Sequence, residues 1–116
     1  MKKPIDSATH GVIDYVFGAA QLTGPSLLNL DKKVVKTYQL LGTAFTVINL
    51  ITDTPVGINL ISMKTHQKAD TCFLAGLSAL TVSKMIAKDK KTLAFHLGFL
   101  GLAIVNYVLT DYRSEQ

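Results

Sequence analysis

At 116 residues the chain has room for one domain and excludes two independent cores. Its 17% of charged residues falls below the roughly 25% of ordinary soluble domains. The net charge of +4 comes from residues set between apolar runs, without interleaved aromatics, which argues against a nucleic-acid groove. A single cysteine, Cys72, excludes an internal disulfide and any cysteine metal motif, and reads as a small apolar helix residue.

The start, Met1-Lys2-Lys3-Pro4-Ile5-Asp6, resembles the charged end of a signal peptide. Asp6, His10 and Asp14 interrupt the apolar run that such a peptide needs, so no cleavage is expected. Beyond it, the stretches 15–30, 37–52, 71–83 and 92–110 contain no Lys, Arg, Asp or Glu. A surface helix of a soluble bundle shows a charged face at every turn, so these stretches predict helices surrounded by lipid. Residues 92–110 approach the roughly 20 that a bilayer span needs. The others reach that length only with flanking polar residues, and the third, edged by Asp70 and Lys84, is the weakest.

The pattern predicts helices at about Ser7–Gly24, Lys33–Thr52, Thr65–Ala87 and Lys91–Tyr112. Thr23-Gly24-Pro25-Ser26 should end or kink the first, because proline lacks the N–H donor. Leu27 to Leu30 should then run along the interface. Asp53-Thr54-Pro55-Val56-Gly57 should end the second helix, and Ile58 to Met63, too short to span, reads as an interfacial segment. Ala87-Lys88-Asp89-Lys90-Lys91 makes a basic turn before the last helix. The expected fold is all-α, a four-helix transmembrane bundle of two repeated helical hairpins in a single membrane domain spanning 1–116.

Two repeats are suggested at about 7–53 and 63–112. His10-x-x-x-Asp14 returns as His66-x-x-x-Asp70, Phe17 and Ala19 return as Phe73 and Ala75, and Thr52-Asp53 returns as Thr110-Asp111. With its His10-to-Tyr15 start and its Thr52-Asp53 helix end, the chain resembles the bacterial membrane proteins with the SPW repeat, over residues 7 to 112. It departs from their pattern where Ser-Pro-Trp is represented by Gly24-Pro25-Ser26 and where the second repeat lacks a proline. The resemblance implies an inner-membrane location and no particular activity.

In an up-down-up-down bundle, His10, Asp14, Asp53, His66, Asp70 and Asp111 share one end, and these six are the candidate ligand or proton site. Lys32, Lys33, Lys36, Lys84, Lys88, Lys90 and Lys91 share the other. Five basic residues (Lys2, Lys3, Lys64, Lys68 and Arg113) oppose those seven, which places both termini outside. Stripes at helical spacing should turn inward in lipid: His10, Asp14, Phe17 and Gln21; Gln39, Gly42, Thr46, Asn49 and Asp53; and the small residues Thr71, Ala75, Ala79, Ser83 and Ala87.

Each His-x-x-x-Asp pair shares a helix face, so the carboxylate can hold the imidazole. Three readings are open: structural glue between hairpins, a proton-responsive or small-ligand site, or a metal site using His10, Asp14, His66 and Asp70. His96 reads as hydrogen-bonded inside the bundle rather than as a haem ligand, and no cofactor is identified. Tyr107, Tyr112 and Arg113 read as interface residues. No nucleophile elbow, phosphate loop or zinc-protease helix is present, so an enzyme is disfavoured. The expected partner is the bilayer and not nucleic acid, with a homo-oligomer compatible. The competing classes are a soluble helical interaction module and a membrane metal-binding protein or metalloenzyme.

Overall fold

The computed structural model describes residues 3–113, and the chain is all-α. Five helices follow one another: α1 (Ser7–Leu27), α2 (Lys32–Leu50), α3 (Met63–Thr81), the single turn α4 (Lys84–Ala87) and α5 (Lys90–Leu109). Among the described residues no strand forms; two isolated parallel bridges join Ile5 to Thr110 and Thr52 to Ile61.

Local chemistry sets the helix ends. Asp6 caps α1 by accepting from the Thr9 N–H, Ser62 caps α3 through Thr65, and Asp89 caps α5 through Thr92. Pro25 was expected to end or kink α1, yet the helix runs through it to Leu27. A proline this close to the carboxyl end costs little more than one hydrogen bond. The stop comes from Asn29, whose φ of 56° is left-handed. The N–H groups of Asn29 and Leu30 turn back to the carbonyls of Ser26 and Pro25, closing a Schellman motif.

The third predicted helix is divided. At Ser83 the hydroxyl donates to the Leu80 carbonyl at 2.6 Å and accepts from the Ile86 N–H at 3.4 Å. One side chain thus closes α3 and opens α4, which is why five helices form where four were expected.

The first hairpin is tightly packed because two glycines meet. A Cβ on Gly18 would fall 2.2 Å from the Thr46 hydroxyl, and one on Gly42 would lie 3.1 Å from the Gly18 carbonyl. The apolar core comprises Leu30, Val34, Tyr38, Leu77, Ile86 and Phe99, with Phe17 and Phe95 against it.

Polar side chains fill much of the remaining interior: His10, Asp14, Gln21, Asn49, His66, Asp70 and Asn106 are all buried. Val12, Val16, Leu40, Val47, Leu102 and Val105 are exposed. One expected inward stripe holds except at one end, and another is corrected. Gly42 and Asn49 are buried on α2 as expected, beside Val34, Tyr38 and Phe45, whereas Gln39, near the lysine end, is exposed. Thr71, Ala75, Ala79 and Ala87 face outward, while α3 buries Met63, His66, Asp70 and Leu77. Among the described residues one helix, Lys90–Leu109, is long and apolar enough to cross a membrane.

Candidate metal centre

The spacing of four residues places His10 and Asp14 on one face of α1, and His66 and Asp70 on one face of α3. Both faces point to the same interior spot, where one ligand atom from each residue lies within 4.8 Å of the others. The two Nε2 atoms are 3.2 Å apart. His10 Nε2 is 3.0 Å from Asp14 Oδ2 and 3.1 Å from Asp70 Oδ2. His66 Nε2 is 2.8 Å from Asp14 Oδ2 and 3.4 Å from Asp70 Oδ1. All four residues are buried.

The far side of each imidazole is equally defined. His66 Nδ1 lies 2.7 Å from the Thr52 hydroxyl, which donates its own proton to the Ile48 carbonyl at 2.6 Å. His10 Nδ1 lies 2.7 Å from the Thr110 hydroxyl, which donates to the Asn106 carbonyl. A hydroxyl whose proton is engaged can only accept, so both Nδ1 atoms carry hydrogen and donate. In the neutral tautomer this leaves both Nε2 lone pairs facing each other and the carboxylates. Lone pairs and anions at these distances repel unless positive charge lies among them.

Backbone bridges put the threonines there. The Ile61 N–H donates to the Ile51 carbonyl and the Asp53 N–H to the Ile61 carbonyl, at 3.0 and 2.8 Å. At the other junction the Ile5 N–H donates to Leu109 and the Asp111 N–H to Ile5, at 3.1 and 2.8 Å. The two junctions correspond residue for residue.

Two further groups set the carboxylates. The Asn106 amide donates to Asp14 Oδ1 at 3.2 Å, and the Tyr112 hydroxyl donates to Asp70 Oδ2 at 2.7 Å. Burial, reinforced by the Asp70 charge, pushes the Tyr112 phenol well above its ordinary range, so it stays a donor.

Of the six expected site residues, His10, Asp14, His66 and Asp70 converge, and Asp53 and Asp111 stand outside the group. The buried Asp111 carboxylate accepts from the Arg113 backbone at 3.0 Å and from its side chain at 3.3 Å. Thr52 and Thr110, noted in the sequence only as helix-end markers, take the places beside the histidines. Asn106 carries no signal beyond its type, and Tyr112, expected at the interface, is instead buried because its hydroxyl reaches Asp70. Tyr107 bonds to the Thr71 hydroxyl at 2.9 Å.

His96, in the other half of α5, is fully engaged. Tyr38 O–H donates to its Nδ1, and its Nε2–H faces the Leu77 carbonyl at 2.9 Å and the Thr81 hydroxyl at 3.0 Å. It is the internally bonded histidine that the sequence suggested. No protein-family model, curated protein or solved structure matches the chain.

Proposed function

We propose that this protein is a small membrane protein that binds one divalent transition-metal ion through His10, Asp14, His66 and Asp70. The observation that carries the reading is the convergence of both Nε2 atoms and two carboxylates on one point while Thr52 and Thr110 hold the opposite nitrogens. A metal-bound histidine characteristically donates its second N–H to an oxygen in this way. A tetrahedral centre with ligand distances of about 2.0–2.1 Å has edges of about 3.3 Å. The separations that involve a histidine, 2.8 to 3.4 Å, are close to that, and the four ligand atoms all lie within 4.8 Å of one another. Nitrogen and carboxylate donors suit zinc or iron better than the hard cations calcium and magnesium.

Membrane insertion is part of the same proposal, supported by the buried polar residues and the exposed Val and Leu side chains. Lipid offers polar groups no partners, so they turn inward. The corresponding junctions at Ile5–Thr110 and Ile61–Thr52 support duplicated hairpins. The SPW-repeat likeness and the outward termini belong to the proposal on sequence grounds alone, the His10-to-Tyr15 and Thr52-Asp53 motifs and the distribution of lysines.

Metal analysis of protein purified in mild detergent tests the reading, with carbonate extraction of membranes as its companion. Expected are one zinc or iron ion per chain, loss of that ion in His10→Ala and in His66→Ala, and retention of the chain in the membrane pellet. A wild-type protein that binds neither ion when supplied with it, or wild-type occupancy in both variants, would overturn the centre. Release of the chain by carbonate would overturn insertion.

A further inference from the structure

A cavity of about 20 Å³ adjoins two of the four residues, Asp14 and Asp70, which is room for about one water-sized molecule. Asp14 and Asp70 border one end, and Phe45, Phe73, Phe99 and Leu77 help to wall the rest. Both carboxylates thus belong to the ligand cluster and to the chamber.

The Asn106 amide occupies Asp14 Oδ1, so that carboxylate presents only Oδ2 to the histidines. One-oxygen ligation keeps the protein ligands at four, and a four-coordinate centre can expand to five by taking an added ligand. The chamber is the space beside the carboxylates that an added ligand can occupy. Its walls are mainly apolar, with Gln21 the polar residue farthest along α1 from Asp14, and small apolar cavities favour weakly polar occupants.

We infer that the bound ion keeps a coordination position open toward this chamber and takes there a small neutral diatomic molecule of the dioxygen, nitric oxide or carbon monoxide class. The inference rests on the metal-centre reading and adds to it a ligand class and a direction of approach. Binding is a simple coordination, with no bond broken and no further reactant.

The test uses the full chain in detergent, loaded anaerobically with ferrous iron and exposed to nitric oxide, read by electron paramagnetic resonance. The expected result is the half-integer-spin signal of a ferrous nitrosyl. Ala103 lines the chamber and supplies no ligand. In Ala103→Leu the iron content should stay as in wild type while the nitrosyl signal falls at least tenfold. Iron bound without any nitrosyl signal in wild type would overturn the inference and leave the metal centre standing. A chain that takes up no iron or zinc would remove both. An undiminished signal in Ala103→Leu would place the ligand elsewhere and overturn the chamber's role. Should Ala103→Leu fail to hold iron, Ala103→Val supplies the same comparison with one carbon less, and an undiminished signal there would count equally against the chamber.

Discussion

His10 and Thr110 stand 100 residues apart in the chain and 2.7 Å apart in the fold, with the imidazole N–H given to a hydroxyl whose own proton is committed. His66 and Thr52 repeat the arrangement at the same distance. Each threonine therefore fixes which face of a histidine is left for a ligand, and it does so from the end of another helix.

That relationship predicts the effect of removing one hydroxyl. Thr52→Val or Thr110→Val keeps the shape and leaves the imidazole free to tautomerise or rotate. Partners of this kind typically contribute about 10- to 100-fold to metal affinity. Competitive titration against a chromophoric chelator should show a loss in that range for each variant. Thr→Ser at either position should recover most of it, because the hydroxyl survives. Wild-type affinity in both valine variants would mean that the hydroxyls do not set the tautomer.

The four converging residues are legible in the sequence because helical geometry alone puts residues four apart on one face, and His-x-x-x-Asp occurs twice. The threonines were legible only as a recurring Thr-Asp pair, and the choice within that pair was not. In the fold a parallel bridge at each junction seats Thr52 and Thr110 on the histidines, and long-range backbone pairing leaves no local trace. Elsewhere, periodicity could not decide direction. The row of small residues on α3 suits a packing face, but His66, Asp70 and Leu77 claim the interior of that helix and turn the row outward. Gln39 was read inward as a polar group in lipid, yet it lies near the lysine end and is exposed. In the sequence Ser83 is one more small helix residue, whereas in the fold its hydroxyl bridges Leu80 and Ile86.

The glycine contact in the first hairpin gives a prediction about stability rather than binding. A methyl group on Gly42 would meet Gln21 Cβ at 2.9 Å and the Gly18 carbonyl at 3.1 Å. Backbone cannot swing aside as a flexible side chain can, so α1 and α2 must separate. Overpacking of this kind costs about 1–3 kcal/mol. Gly42→Ala should lower the thermal midpoint in detergent by several degrees. Gly76 and Gly98 have nothing within 4 Å of an added Cβ, and an alanine in mid-helix gains about 0.5–1 kcal/mol over glycine. Gly76→Ala and Gly98→Ala should therefore be neutral or slightly stabilising. A Gly42→Ala protein as stable as wild type would show that the hairpin is looser than this contact requires.

The Tyr38–His96 pair separates structural polarity from the metal centre. Both side chains are buried, and the Tyr38 O–H is the donor to His96 Nδ1. With Nε2–H committed to Leu77 and Thr81, the ring cannot flip to satisfy a lost donor without orphaning its other nitrogen. Tyr38→Phe should therefore destabilise the fold by about 1–3 kcal/mol, the cost of a buried acceptor left unmet. The ring remains to pack against Phe95 and Phe99, whose centroids lie 5.2 and 6.1 Å away, so the core should stay intact. Metal stoichiometry should be that of wild type, since Tyr38 touches none of the four ligands. Chemical unfolding followed with metal analysis separates the two effects. Undiminished stability would mean the bond contributes nothing, whereas loss of the ion would couple this histidine to the centre, against the independence argued from its complete set of partners.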